Sequence, residues 1–195
     1  MPSSKDLYEE IEKADSAGHI ALSRHLREQF LSMNPDNGPV LIMYASDLIH
    51  LHLYDKARIV LDRAEKVIPK EALHLAVAER GHLFESKGEF EEAEDHFLSA
   101  HKLDPDDATY LIYAACVAFK KGDLHRAEEH ARLATKCSDG CLDEAYFNLG
   151  SILMAQKKYV ESQQCYLKAL KIAPDYEEAR LRLEDLNLLT KRLDT

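Results

Sequence analysis

The chain has 195 residues, enough for one domain or one continuous array of repeats at roughly 100–200 residues per domain. Apolar residues make up 46% and charged residues 31%, which supports a packed core and excludes bulk disorder, while 7 Gly and 6 Pro are too few breakers for a fold of many strands and tight turns. With 35 acids against 25 bases the formal charge is −10, which repels a phosphate backbone, and the basic pairs Lys120-Lys121, Lys157-Lys158 and Lys191-Arg192 form no patch, so no nucleic acid is expected as a partner.

Repeats organise the chain. Pro35, Pro69, Pro105 and Pro174 are spaced by 34, 36 and 69 residues, and Asp139 stands where the missing proline of the long gap falls. Counting back from these markers gives five units of two helices each. The first covers about 4–37 and is degenerate, with Ile11, Ser23, Arg27, Phe30 and Pro35. The second, 38–71, carries Ala45, Ala57, Leu61, Ala64 and Pro69. The third, 74–107, carries Gly81, Ala93, Phe97, Ala100 and Pro105. The fourth, 108–141, carries Ala115, Ala127, Ala131, Ala134 and Asp139. The fifth, 143–176, carries Gly150, Ser162, Tyr166, Ala169 and Pro174. A leucine-rich segment at about 177–193 reads as a capping helix.

Gly18, Gly88 and Gly122 mark the break between the two helices of three units, where a left-handed residue ends the first helix. His52 and Lys157 hold that place in the other two, at a cost of about 1 kcal/mol each relative to Gly if the turn is kept. Glu89 and Asp123, just past two breaks, suit the start of a second helix. The small residues have a packing reason. Gly81 against Ala93, and Gly150 against Ser162, let two backbones approach, while Ala100 and Ala169 make room for the next unit. One such unit cannot bury its own apolar faces, so neighbours stack to share a core.

These residues resemble the tetratricopeptide repeat, a 34-residue helix pair. The resemblance is strongest at 143–176, through Tyr146, Leu149, Gly150, Leu153, Tyr166, Ala169 and Pro174, and next at 74–107, through Gly81, Phe84, Ala93, Phe97, Ala100 and Pro105. It implies an all-α fold, a right-handed superhelical solenoid of antiparallel helix pairs forming one array over 1–195. Two residues depart from the pattern. Arg27 occupies a normally aromatic slot. Arg80 stands in place of Leu and is expected to bury its stem or to pair with an acid.

Signatures of chemistry are sparse. No Gly-rich phosphate loop, G-x-S-x-G, H-E-x-x-H or C-x-x-C occurs. His50 and His52 point apart on a helix. Cys137 and Cys141 read as small residues flanking a loop rather than as metal ligands. The acids Glu89, Glu91, Glu92, Glu94 and Asp95 read as a solvated helix start. No enzyme activity, no cofactor and no metal are expected. No run of 18 apolar residues and no apolar leader stands in the sequence, so membrane insertion and export are not expected either, and the scattered cysteines suit a reducing cytoplasm.

The resemblance also implies a function. In that family the first helices line a concave surface that binds peptides or helices of other proteins. Carried over by register, the expected partner groove is lined by Tyr8, Ile42, Ile49, Leu75, His82, Ile112, Cys116, Phe119, Phe147 and Met154, with Glu12, Ser46, Ala78, Glu85, Thr109 and Ser151 between them. Some family members hold a heat-shock chaperone's terminal carboxylate with cations. Here the corresponding slots hold Tyr8, Glu12 and Met43, then Ile42, Ser46 and Glu79, then Thr109 and Tyr113, so that carboxylate-clamp binding is not expected. An adaptor or complex subunit binding a protein or peptide with apolar anchors and basic flanks is the leading expectation. A small acidic chaperone for apolar client segments and a self-assembling homo-oligomer are the alternatives.

Overall fold

The structure is a computed structural model that describes residues 3–193. Met1 and Pro2, the start of the segment read above for an export leader, lie outside the described residues, as do Asp194 and Thr195. Among the described residues there are eleven α-helices and one 3-10 turn, in two compact units, residues 1–89 and 90–195. The boundary falls inside the third sequence repeat, between its two helices.

Unit 1 holds α1 (Ser4–Ser16), α2 (Ile20–Met33), α3 (Gly38–His50), α4 (Tyr54–Val67) and α5 (Leu73–Lys87). A reciprocal cap opens α1: the Asp6 amide donates to Ser3 Oγ at 3.2 Å and the Ser3 amide donates to the Asp6 carboxylate at 2.9 Å. Two of the orphan amides of the helix start are satisfied in this way. Asn37 caps α3 by accepting from the Val40 amide at 3.1 Å. Consecutive helices pack side by side, and the first helices α3 and α5 also touch. Leu7, Ile11, Leu26, Phe30 and Val40 make one buried cluster, and Ala45, Leu48, Ala57, Leu61 and Leu83 make the next. The two residues inserted after the second repeat are absorbed by the 3-10 turn Lys70–Ala72.

Both departures from the repeat pattern find acids. Arg80 donates from Nε to Glu65 at 2.8 Å and from a terminal nitrogen to Asp62 at 2.9 Å, tying α5 to α4. Arg27, in the aromatic slot of α2, donates to both oxygens of Asp47 on α3 at 2.8 and 2.7 Å and to Asp15 on α1 at 2.6 Å. Ser23 also donates to Asp15. Helices α1 and α2 thus form a pair in which a three-helix ion cluster stands where an aromatic ring, Phe97 or Tyr166, packs in the third and fifth repeats.

Unit 2 holds α6 (Phe90–Leu103), α7 (Thr109–Lys121), α8 (Leu124–Ala134), α9 (Leu142–Ala155), α10 (Tyr159–Ile172) and α11 (Glu177–Leu193). Asp123 caps α8 by accepting from the Arg126 amide at 3.0 Å. The third-slot residues Phe97 and Tyr166 are fully buried, as are Ala93, Ala100, Ala115, Ala127, Ala134, Ser162 and Ala169. Ser162 donates its hydroxyl to the Gly150 carbonyl at 2.7 Å, so α9 and α10 approach as closely as the small residues require. Glu94, buried on α6, lies 2.7 Å from His130 Nε2 and 2.9 Å from Arg126, both on α8. Asp139, in place of the fourth proline, is held in a short parallel bridge: its amide donates to the Asp106 carbonyl at 3.0 Å, and its carbonyl accepts from the Ala108 amide at 3.0 Å. The capping helix α11 buries Ala179 and Leu186 against α10.

All five breaks have a left-handed residue: Gly18, Gly88 and Gly122 at φ 69°, 78° and 87°, and also His52 at 58° and Lys157 at 61°. Lys157 is exposed. Replacing it with Gly should therefore raise stability by about 1 kcal/mol, or a few degrees in melting temperature. Thermal unfolding followed by circular dichroism reads this directly, and an unchanged or lowered midpoint would contradict it.

Candidate partner-binding faces

Most of the residues expected in the groove are exposed or half-buried on the first helices of their repeats. In unit 1, Leu75 is exposed, and Tyr8, Ile42 and His82 are half-buried. Ile49 is a correction: it is 4% exposed and packs inward with Leu48, Leu61 and Leu83. Polar groups dominate the rest of this face. Ser46 bonds to the side chain of Glu79, whose carboxyl is pushed above its usual range by burial, against the pull of His82, the Ser46 bond and His50. His82 Nδ1 lies 3.4 Å from Glu85. Beside them, Ile20, Arg24, Met43, Ser46, His50 and Leu51 surround the Arg27 ion cluster in a cavity of about 400 Å³. Burial also raises the Asp47 carboxyl, although Arg27 and Arg24 oppose the shift. The Arg27 Nε is buried and has no hydrogen-bond partner among the described residues.

In unit 2, Phe119 is 41% exposed, and Cys116 and Met154 are half-buried. Ile112 and Phe147 are the other two corrections. Ile112 is 1% exposed among Ala108, Leu111, Ala134 and Ala145. Phe147 lies between the rings of Tyr166 and Tyr176, with centroids 5.8 and 5.1 Å away. Both occupy the same repeat slot as the half-buried Tyr8 and Ile42. Tyr176, just before α11, closes over Phe147, an arrangement that repeat register alone does not reveal.

Between α7 and α9 lies an apolar notch of about 170 Å³, lined by Cys116, Phe119, Lys120, Asn148, Ser151 and Ile152. The Asn148 Nδ2 is buried there without an acceptor among the described residues. Asn148 is not among the residues expected in the groove from the sequence. The available signal is its place one helical turn before Ser151, on the same face. Ser151 itself donates to the Phe147 carbonyl at 3.1 Å.

These faces offer apolar anchoring, hydrogen bonding and charge. Among the described residues no three His, Cys, Asp or Glu side chains gather to hold a metal ion, and no helix is long and apolar enough to cross a membrane.

Comparison with known proteins finds the same repeat family in the later part of the chain. Tetratricopeptide-repeat families match residues 79–140 and 143–176. Mouse tetratricopeptide repeat protein 12 is 31% identical over 132 residues, 67% of this chain and 18% of that protein. The chain thus spans less than a fifth of the length of the curated relatives it matches. Among solved structures, the thermophilic tetratricopeptide protein TTC0263 of Thermus thermophilus has a TM-score of 0.69 at 20% identity, covering 95% of this chain and all of that one. The first tetratricopeptide domain of Spaghetti (RPAP3), bound to the HSP90 peptide SRMEEVD, has a TM-score of 0.55 at 23% identity, covering 60% of this chain and 93% of that one. Tetratricopeptide repeats are generally protein-interaction scaffolds rather than enzymes. The all-α helix pairs, the small-residue slots, the left-handed breaks and these matches agree: this chain belongs to the tetratricopeptide-repeat proteins.

Proposed function

We propose that the chain is a non-enzymatic adaptor or complex subunit, which holds a segment of another protein against the first-helix faces of its repeats. The observation that carries this reading is Phe119, a large aromatic side chain left 41% exposed at the mouth of an apolar notch on the expected face. Exposed apolar surface gathered in one recess favours a partner over solvent. On unit 1 the acids Glu12, Glu79 and Glu85 favour basic residues in the bound segment. The same acids stand against a chaperone's terminal carboxylate as the ligand, since that group needs cations. Four cysteines without disulfides suit a cytoplasmic setting.

The test is capture of partners from source-cell lysate by the full chain, beside a Phe119→Glu variant of unchanged helicity and melting temperature. A defined partner is expected on the wild type and absent, or at least tenfold depleted, on the variant. Equal capture by both would overturn the reading. A mass that rises with concentration, with no other protein bound, would replace it with self-assembly.

A further inference from the structure

We infer that the outer face of α11 seats an amphipathic helix of a partner protein, one that carries two apolar anchors a heptad apart and a basic residue between them. This rests on the proposed function and carries the first-helix face one helix further along unit 2.

The first observation is repeat register. Counting 34 residues on from the fifth repeat, Leu181 takes the slot of Phe147 and Leu188 that of Met154. Helix α11 therefore stands as a further first helix, and no second helix follows it among the described residues. The second observation is burial. Ala179 and Leu186 pack inward against α10, whereas Leu181 and Leu188 are 53% and 56% exposed on the opposite side. Seven residues apart, the two leucines lie in one line about 10 Å long on the helix surface. That spacing recurs in a facing helix every seven residues, which makes it the seam of a helix–helix contact.

Charge chooses the occupant. Glu184 and Asp185 stand between the two leucines and are exposed. Neither carboxylate has an ion pair among the described residues, and Arg180, one turn before Glu184, is held by Glu177. The other bases of α11 fall outside this interval of the face: Arg182 lies about 100° round from Leu181, and Lys191 and Arg192 follow Leu188. A basic residue between the anchors of a partner is therefore attracted, and an acidic one repelled. The same acids oppose a second copy of this chain as the occupant. An antiparallel pairing that sets Leu181 against Leu188 also sets Glu184 against Asp185, and a parallel pairing sets each acid against itself.

The probe is an acetylated, amidated, alanine-rich helix of about 18 residues, long enough to be helical alone, with two Leu a heptad apart and two Lys between them. It is titrated to millimolar concentration into the ¹⁵N-labelled full chain. Saturable shifts are expected at the Leu181, Asp185 and Leu188 amides. Replacing the probe's Leu with Ser should abolish them, and replacing its Lys with Glu should weaken binding at least tenfold. Asp185→Lys should weaken binding of the Lys probe several-fold and strengthen that of the Glu probe, a reversal that a merely structural role would not produce. Its melting temperature should match the wild type, because the side chain is exposed. The probe series needs only the wild-type chain, so it stands even if that variant folds poorly. Shifts that spare α11, no shifts at all, or equal binding of the Lys and Glu probes would overturn the assignment. So would a mass that rises with concentration without probe and is restored to the monomer by Leu188→Ser, which gives the face to a second copy. The capture experiment is separate. If capture depends on Phe119 while the probe leaves α11 untouched, only this extension fails; if Phe119→Glu captures as wild type does while the probe binds, the reading of the α7 face falls and the seat narrows to α11.

Discussion

Arg27→Ala is expected to lower folding stability by about 3–5 kcal/mol, the usual loss when one partner of a buried ion cluster is removed. The side chain of Arg27 is 9% exposed and that of Asp47 is 11% exposed. Without the guanidinium, Asp47 keeps its desolvation and loses both of its charge-assisted bonds. Total stability for a domain is about 5–15 kcal/mol, so urea unfolding should show a large drop in midpoint. The sign of the pH dependence follows from Asp47. Its carboxyl is already raised above the ordinary 3.8 by burial, and losing Arg27 raises it further. A group raised in the fold is unfavourable while charged, and that penalty fades as pH falls through the folded pKa. The deficit of Arg27→Ala against wild type should therefore be widest at neutral pH and narrow toward pH 4. A double change, Arg27→Phe with Asp47→Asn, restores the aromatic slot and removes the stranded charge, and should recover most of the loss. A loss below about 1 kcal/mol for Arg27→Ala would mean that the cluster is a surface pair and contributes little.

Gly150→Ala is the second large effect. A Cβ at Gly150 would lie 2.7 Å from Cε1 and 2.9 Å from Cδ1 of Tyr166, whose ring is fully buried against Phe147. Alanine favours a helix by about 1 kcal/mol over glycine, but forcing this contact costs about 1–3 kcal/mol or more in a core that cannot yield. The net result should be destabilisation, and Gly150→Val should be worse. Tyr166→Leu made together with Gly150→Ala should cost less than the sum of the two single changes, since the smaller side chain removes the clash. Additive losses in calorimetry would place the strain elsewhere.

Much of the fold is legible in the sequence because each unit repeats a steric requirement. Small residues at Ala45, Ala57 and Ala64 recur at Gly150, Ser162 and Ala169, since helices of fixed diameter meet at the same points. The breaks are legible even where glycine is absent, because His52 and Lys157 stand in register with Gly18, Gly88 and Gly122 and share their positive φ. The proposed partner face is legible only in part. Ile112 and Phe119 are both apolar and one is core, because burial depends on what the neighbouring helices place over each side chain. Phe147 is covered by Tyr176 from beyond its own repeat helices. Arg27 stands out as a misfit, but its partners Asp15 and Asp47 lie 12 and 20 residues away on two other helices. No local spacing pairs them.

The proposed seat of a partner protein on the first-helix faces is open to photo-crosslinking, with a photoreactive residue placed singly at Ser46, at Ser151, and at the exposed Ile59 and Val160 of the second helices α4 and α10. Each full-length variant would be incubated with the captured partner and irradiated. Covalent adducts are expected from Ser46 or Ser151 and none from Ile59 or Val160. Adducts from Ile59 or Val160 alone would contradict it and move the binding surface to the second helices.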